Sequence, residues 1–187
     1  MINFVFLLGF IASNFLVVRG NEKMVGPGKW SVINIMKCDE DATMVLKFEI
    51  NRRKINRTHD GFNAKMNLEE TIDENYALRV DICKYVDGGC KPYQVMMEDS
   101  FERFVKKYAS NNLKDVLTKA DIDPPDFPVP QGEHELKNYV FNYDELPTDG
   151  PYGEYGSKAF MIKDGIERGC VYIHAKFEEV EDEEEDR

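Results

Sequence analysis

The chain has few of the residues that most often do chemistry. Its 187 residues include three histidines, four cysteines and one tryptophan, and no GxSxG, HExxH or glycine-rich phosphate motif occurs. Basic residues are also scarce, since 24 Lys and Arg face 35 Asp and Glu, for a net charge of −11. This balance disfavours a nucleic-acid partner, which needs clustered cations, and simple electrostatic docking on an anionic membrane.

The three histidines do not form a recognisable catalytic or metal site. His59 stands beside a turn, His134 lies between two glutamates, and His174 alternates with apolar residues. The segment Thr58-His59-Asp60 has the residue types of a catalytic triad, but neighbours in a turn point apart. No CxxC spacing is present either. The sequence therefore predicts a protein that is not an enzyme and that uses no metal or cofactor.

The two ends of the chain differ from the rest. Residues 1–20 carry a single charge, Arg19, and an apolar run, and Val18 and Gly20 occupy the −3 and −1 positions of a cleavage site. This predicts a secretory signal peptide. The alternative is a membrane anchor, but the apolar part of the segment is shorter than the roughly 20 residues that a bilayer span needs. Residues 178–187 read EEVEDEEEDR and predict a disordered acidic tail. Residues 21–177 are predicted to form one domain.

The cysteines predict two disulfides if the chain is secreted. Three pairings are possible. Strong turn residues, Asp87-Gly88-Gly89, separate Cys83 from Cys90, so a hairpin could join these two and leave Cys38 to pair with Cys170. Asn56 begins an N-glycosylation motif, Asn-Arg-Thr, which agrees with an extracellular location.

Apolar residues recur at every second position in several segments, a pattern that indicates strands with one buried face. The clearest examples are 42–50, 62–68, 76–82 and 171–177, and shorter ones are 30–36, 136–143 and 155–163. Seven or so such strands predict a mainly β fold, an antiparallel sandwich or cup of two sheets.

Residues 99–120 break this pattern, because their apolar residues follow steps of three and four. They predict an inserted helix, or two short helices separated near Asn111-Asn112, with Asp99 or Ser100 as the cap. The proline-rich segment 123–130 that follows predicts an extended connection.

The order of these features resembles the lipid-recognition (ML-type) domains, specifically the ganglioside-activator-like branch expanded in arthropods. The resemblance covers residues 29–177. It depends on Cys38, the spacing of Cys83 and Cys90, the helical insert and the final block LPTDGPYGEYGSKAFMIKDGIERGCVYIHAKF. The chain has Phe127-Pro128 where the family often has Cys-Pro, so the additional disulfides of the ganglioside activator are absent.

The resemblance implies an antiparallel β-cup whose apolar cavity takes lipid acyl chains without hydrolysing them. It also implies the pairs Cys38–Cys170 and Cys83–Cys90, and some arthropod relatives are implicated in chemosensation. Alternating strand residues and one helix face would line the cavity: Met44, Leu46, Phe48, Ile50, Phe62, Ala64, Met66, Tyr76, Leu78, Val80, Phe101, Phe104, Val105, Tyr108, Val171 and Ile173. Tyr152 and Tyr155 would stand at the rim.

The resulting hypothesis is a secreted binder or carrier of a lipid or another apolar small molecule, with transient contacts to a membrane or receptor. Sequence periodicity does not reveal whether the space between the sheets is open or filled. The alternative is therefore a secreted protein-interaction module with a filled core, which acts through its loops and acidic tail.

Overall fold

The computed structural model describes residues 24–39, 44–54 and 60–180. The predicted signal peptide, Asn56, His59 and the tail beyond residue 180 lie outside this part of the chain. The architecture is mainly β with two short helices, as predicted. The strands are β1 (Val25–Lys37), β2 (Leu46–Lys54), β3 (Asp60–Leu68), β4 (Ala77–Val86), β5 (Gly89–Glu98), β6 (Gly132–Tyr139), β7 (Asp149–Pro151), β8 (Gly153–Lys163) and β9 (Ile166–Glu179).

These strands form two antiparallel sheets. The larger sheet has the order β5-β4-β8-β9-β1-β7, and the smaller sheet has the order β2-β3-β6. Both disulfides form, Cys38–Cys170 and Cys83–Cys90, which is the pairing that the hairpin turn favoured.

The periodicity located most strands but missed some of their limits. Strand β2 begins at Leu46, four residues later than the predicted start, and extends to Lys54. The hairpin turn predicts a strand after Gly89, but the extent of β5 was not predicted, because its apolar residues do not alternate cleanly with polar ones. It is an edge strand, and its Tyr93, Val95 and Met97 are exposed.

The helical insert consists of two short helices, α1 (Phe101–Tyr108) and α2 (Ser110–Lys119). Ser100 caps α1, and its hydroxyl accepts a hydrogen bond from the Arg103 amide at 3.2 Å. The break lies at Ala109, whose φ of −155° is not helical, and not at Asn111-Asn112 as the sequence suggested.

The two sheets approach each other closely at one end of the larger sheet. Leu78, Met161 and Gly169 are in register on β4, β8 and β9, and all three are buried. Gly169 faces β2 so closely that an added Cβ would lie 2.8 Å from the Cβ of Leu46. The main core surrounds this contact and includes Leu46, Phe48, Leu68, Ile72, Tyr76, Leu117, Ala120, Ile122, Val129 and Met161.

We expect Gly169→Ala to lower the free energy of unfolding by about 1–3 kcal/mol, the usual cost of overpacking a tight core. The new methyl group would also meet the Leu46 carbonyl oxygen at 3.0 Å, and backbone cannot move aside as a flexible side chain can. Urea denaturation measures the change.

Gly150→Ala is the matched control, because the atom nearest to its added Cβ is on Phe177 at 3.6 Å, an ordinary contact. It should change the free energy of unfolding by less than about 1 kcal/mol. Equal losses for the two variants would contradict the close approach at Gly169.

Candidate ligand-binding site

Beyond the core, the inner face of the larger sheet continues in successive rows. Strand alternation places Val80, Ala159 and Val171 in the row next to Leu78, Met161 and Gly169. Ile82, Ser157 and Ile173 form the following row. We call this part the open inner face; its apolar members are Val80, Ile82, Ile173 and their cross-strand neighbours Met96 and Ile35.

The residues of the open inner face are apolar but only half-buried. Within the described residues, none of the five belongs to a buried hydrophobic cluster or packs against one. Contacts between the sheets are concentrated on β2, which meets β1 and β9. The smaller sheet therefore packs over β1 and β9, and Val80, Ile82 and Ile173 stay partly exposed to water.

Helix α1 stands beside this face and contacts β4. Its apolar side chains are half-buried and none is fully buried. Phe101 packs against the main core and against Phe127, with ring centres 5.8 Å apart. Phe104 and Tyr108 contact each other, with ring centres 5.0 Å apart. The helix thus retains an apolar side that the core does not cover.

The residues predicted to line a cavity fall into separate environments. Five are buried, so they fill space: Leu46, Phe48 and Tyr76 in the main core, together with Phe62 and Leu78. Four are half-buried against the main core: Ile50, Met66, Phe101 and Val171. Ala64 is buried with Leu136 and Tyr139. Five have open apolar surface: Val80, Ile173, Phe104, Val105 and Tyr108.

Met44 is not brought to the inner face. It precedes β2 and packs with Phe160 and the Cys38–Cys170 disulfide. The Arg79 guanidinium lies 4.3 Å from the centre of the Phe160 ring. Arg79 follows the inner-face residue Leu78 on β4, so Arg79 and Phe160 lie on the outer face of the larger sheet. The alternation that includes Met44 fails because the strand starts only at Leu46.

The two predicted rim tyrosines are held inside an aromatic row. Tyr155 is 5% exposed, and its ring centre lies 6.0 Å from that of Trp30 and 5.7 Å from that of Tyr93. Burial and the nearby Tyr93 raise the pKa of the Tyr155 hydroxyl. Tyr152 stacks on Phe177, with ring centres 5.7 Å apart. The Tyr155 hydroxyl donates to the Pro151 carbonyl oxygen, and the Tyr152 hydroxyl donates to the Pro27 carbonyl oxygen.

A polar network that the sequence did not reveal fixes α2 to the smaller sheet. Asn112 is 3% exposed, and its amide nitrogen donates to the Asn142 carbonyl and to the Glu145 carboxylate, both at 2.8 Å. Its amide oxygen accepts from the Asn142 amide and the Tyr139 hydroxyl. An asparagine within a helical segment, where it is intrinsically unfavourable, was the available signal.

Glu145 caps α2, because the N-cap residue Ala109 provides no side-chain hydrogen bond. Its carboxylate accepts from the backbone amides of Asn111 and Asn112 at 2.8 and 2.9 Å. Burial raises the pKa of this carboxyl, but the hydrogen bonds from Asn112 and Asn111 outweigh burial and lower the pKa below its usual 4.5. The charged carboxylate therefore stabilises α2 in place.

Surface depressions occur on the outer faces of both sheets. One of about 550 Å³ lies over Gly156 and is bordered by Tyr93, Val95, Lys158 and Tyr172. Another, of about 410 Å³, is lined mainly by polar residues of the smaller sheet, including Glu49, Arg53 and Lys65. Of the residues predicted to line a cavity, only Ala64 borders either of them.

The remaining histidines have structural contacts. The His134 ring nitrogen Nε2 lies 2.9 Å from the Pro130 carbonyl oxygen. His174 lies on the outer face against the Tyr85 ring, at 4.5 Å between ring centres, and Glu154 approaches its Nε2. Within the described ranges, no group of three or more His, Cys, Asp and Glu side chains could hold a metal ion. Neither described helix has the length and hydrophobicity that a membrane crossing requires.

Comparison with known proteins adds no assignment. No protein-family model matches the chain, and no curated protein gives a significant match. The resemblance to the lipid-recognition domains therefore stays a prediction, and the geometry of the inner face has to support any proposal of function.

We expect Glu145→Gln to weaken the acid dependence of stability. A carboxyl with a lowered folded-state pKa contributes stability above pH 4.5, its usual pKa, and loses it as pH falls through the folded-state value. The wild type should lose stability on acidification below pH 4.5 more steeply than the variant. At pH 7 the variant should be less stable by about 1 kcal/mol, the usual worth of a helix cap.

Urea denaturation across this pH range measures both effects. Glu133→Gln, an exposed position on β6, is the control and should follow the wild type. Parallel pH profiles for wild type and Glu145→Gln would contradict the capping role.

Proposed function

We propose that the protein is a secreted, non-enzymatic binder of a lipid or another apolar small molecule, which it holds on the open inner face. The observation that supports this most strongly is the state of Val80, Ile82 and Ile173. They are apolar, they share one face and they are half-buried, and no buried cluster among the described residues includes them. Apolar surface that a fold leaves uncovered commonly marks a binding site.

The mechanism of binding would be burial alone. A ligand chain laid along the open inner face would remove water from these side chains and from the apolar side of α1. Each methylene group buried contributes about 0.8 kcal/mol. Two disulfides fit an extracellular protein, in which such a carrier would act.

A series of straight-chain ligands with one headgroup tests this mechanism. If the chain is the recognised part, each added methylene should tighten the dissociation constant about fourfold, from 0.8 kcal/mol per group, until the face is filled. Displacement of a fluorescent apolar probe from the purified protein gives the constants. Affinities that do not change with chain length would contradict burial as the mechanism.

We expect Val80→Asp to weaken ligand binding at least tenfold, because the ligand would have to desolvate a carboxylate on the floor of the site. Val95→Asp is the matched control, since Val95 is 62% exposed on the outer face of the neighbouring β5. It should bind the ligand as the wild type does. Val80→Thr keeps the side-chain shape and serves if the aspartate variant does not fold. If Val80→Asp folds and binds the ligand with the affinity of the wild type, the open inner face is excluded as the site.

The edge strand β5 supports a second candidate, a protein-interaction module. Its outward residues Val95 and Met97 are 62% and 66% exposed, and a sheet edge offers backbone groups to another strand. Val95→Asp separates the two candidates: an interaction module would lose its partner, whereas a lipid binder would keep its ligand.

A further inference from the structure

We propose that Lys84 and Lys91 form an anion-binding site at the hairpin end of the open inner face. The site would take the carboxylate or phosphate head of a single-chain amphiphile whose tail lies on Val80 and Ile82. This inference rests on the proposed function and adds the chemical class of the ligand.

The two lysines are directly opposite each other in the β4–β5 hairpin. Like charges in this position destabilise a sheet, because their side chains extend from the same face a few ångströms apart. Among the described residues, neither ammonium forms an ion pair with a carboxylate, although the chain carries 35 acidic residues. A bound anion between the two lysines would remove the repulsion.

The surroundings of Lys84 hold its ammonium in place. Lys84 is half-buried, its Nζ donates to the Tyr152 carbonyl at 2.9 Å, and it lies 5.5 Å from the centre of the Tyr155 ring. Gly153 makes room for it, since a Cβ there would lie 2.6 Å from the Lys84 Cε. An ammonium has three donors, so two remain for a ligand after the bond to Tyr152.

The opposite face of the hairpin fixes the spacing of the two lysines. Cys83 and Cys90 each precede one of the lysines, and their disulfide joins the two strands. An added Cβ at Gly156 would meet the Cys83 sulfur at 3.0 Å, which places the disulfide on the outer face. The lysines, one residue further along each strand, therefore stand on the inner face.

The lysine pair continues the apolar rows of the open inner face. Val80, Ile82 and Lys84 alternate along β4 and lie in register with Ala159, Ser157 and Tyr155 of β8. At about 3.3 Å per residue, Val80 and Lys84 are about 13 Å apart. An amphiphile with its tail over Val80 and Ile82 would bring its head to the lysines.

Binding of three ligands of equal chain length tests the inference: a saturated fatty acid, the alkyl phosphate and the alcohol. We expect the wild type to bind at least one of the anions about tenfold more tightly than the alcohol, as charge-assisted hydrogen bonds require. A preference for the phosphate would identify a lipid phosphate as the source, and a preference for the carboxylate a free fatty acid; both support the site.

Lys84→Met should remove this preference and leave the affinity for the alcohol unchanged, whereas Lys84→Arg should retain it. Lys91→Met, at an exposed position, should reduce the preference about threefold and serves if Lys84→Met does not fold. Lys114→Met, an exposed lysine on α2, is the matched control and should behave as the wild type.

Two results would overturn the inference while the proposed function stands: equal affinity of the wild type for anions and alcohol, or an equal loss of affinity for all three ligands in Lys84→Met. If the wild type binds none of the three, the proposed function itself fails.

Discussion

The close approach of the two sheets at Gly169 sets where the main core of the molecule forms. At this point the backbone of β9 lies against Leu46 and Phe48 of β2, because Gly169 has no side chain to hold them apart. Large buried side chains such as Tyr76 and Met161 then complete the core at that end of the larger sheet. Because the close contact and the helices are gathered there, the described part of the chain leaves Val80, Ile82 and Ile173 at the opposite end half-buried. An apolar surface remains beside a stable core.

Alternation in the sequence correctly predicted the mainly β fold and which face of many strands is apolar, because a strand's side chains have a period of two. It could not predict how deeply each of these side chains is buried. Leu78 and Val80 are two residues apart on one face of β4, yet one is buried and the other half-buried. What packs over each position differs, although the two residues belong to the same alternating pattern. Long-range placement of this kind leaves no trace in local periodicity.

The polar contacts also include some that the local sequence can predict and some that it cannot. The turn between Cys83 and Cys90 was sufficient to predict a hairpin, and a hairpin centred on that turn places Lys84 opposite Lys91. That pair could therefore have been found from the sequence. Glu145, by contrast, caps α2 from 33 residues away, as measured from Asn112. No spacing rule connects these two positions, because the contact exists only when α2 packs on the smaller sheet.

The most direct test of a binder that uses its open inner face is the location of the ligand. Methyl-resolved NMR of the full protein with and without a straight-chain amphiphile would locate it. A ligand on the open inner face should produce shift changes and ligand contacts at Val80, Ile82 and Ile173, with Val95 and Met97 unaffected. Changes confined to Val95 and Met97 on β5, with the inner-face methyl groups unmoved, would contradict it.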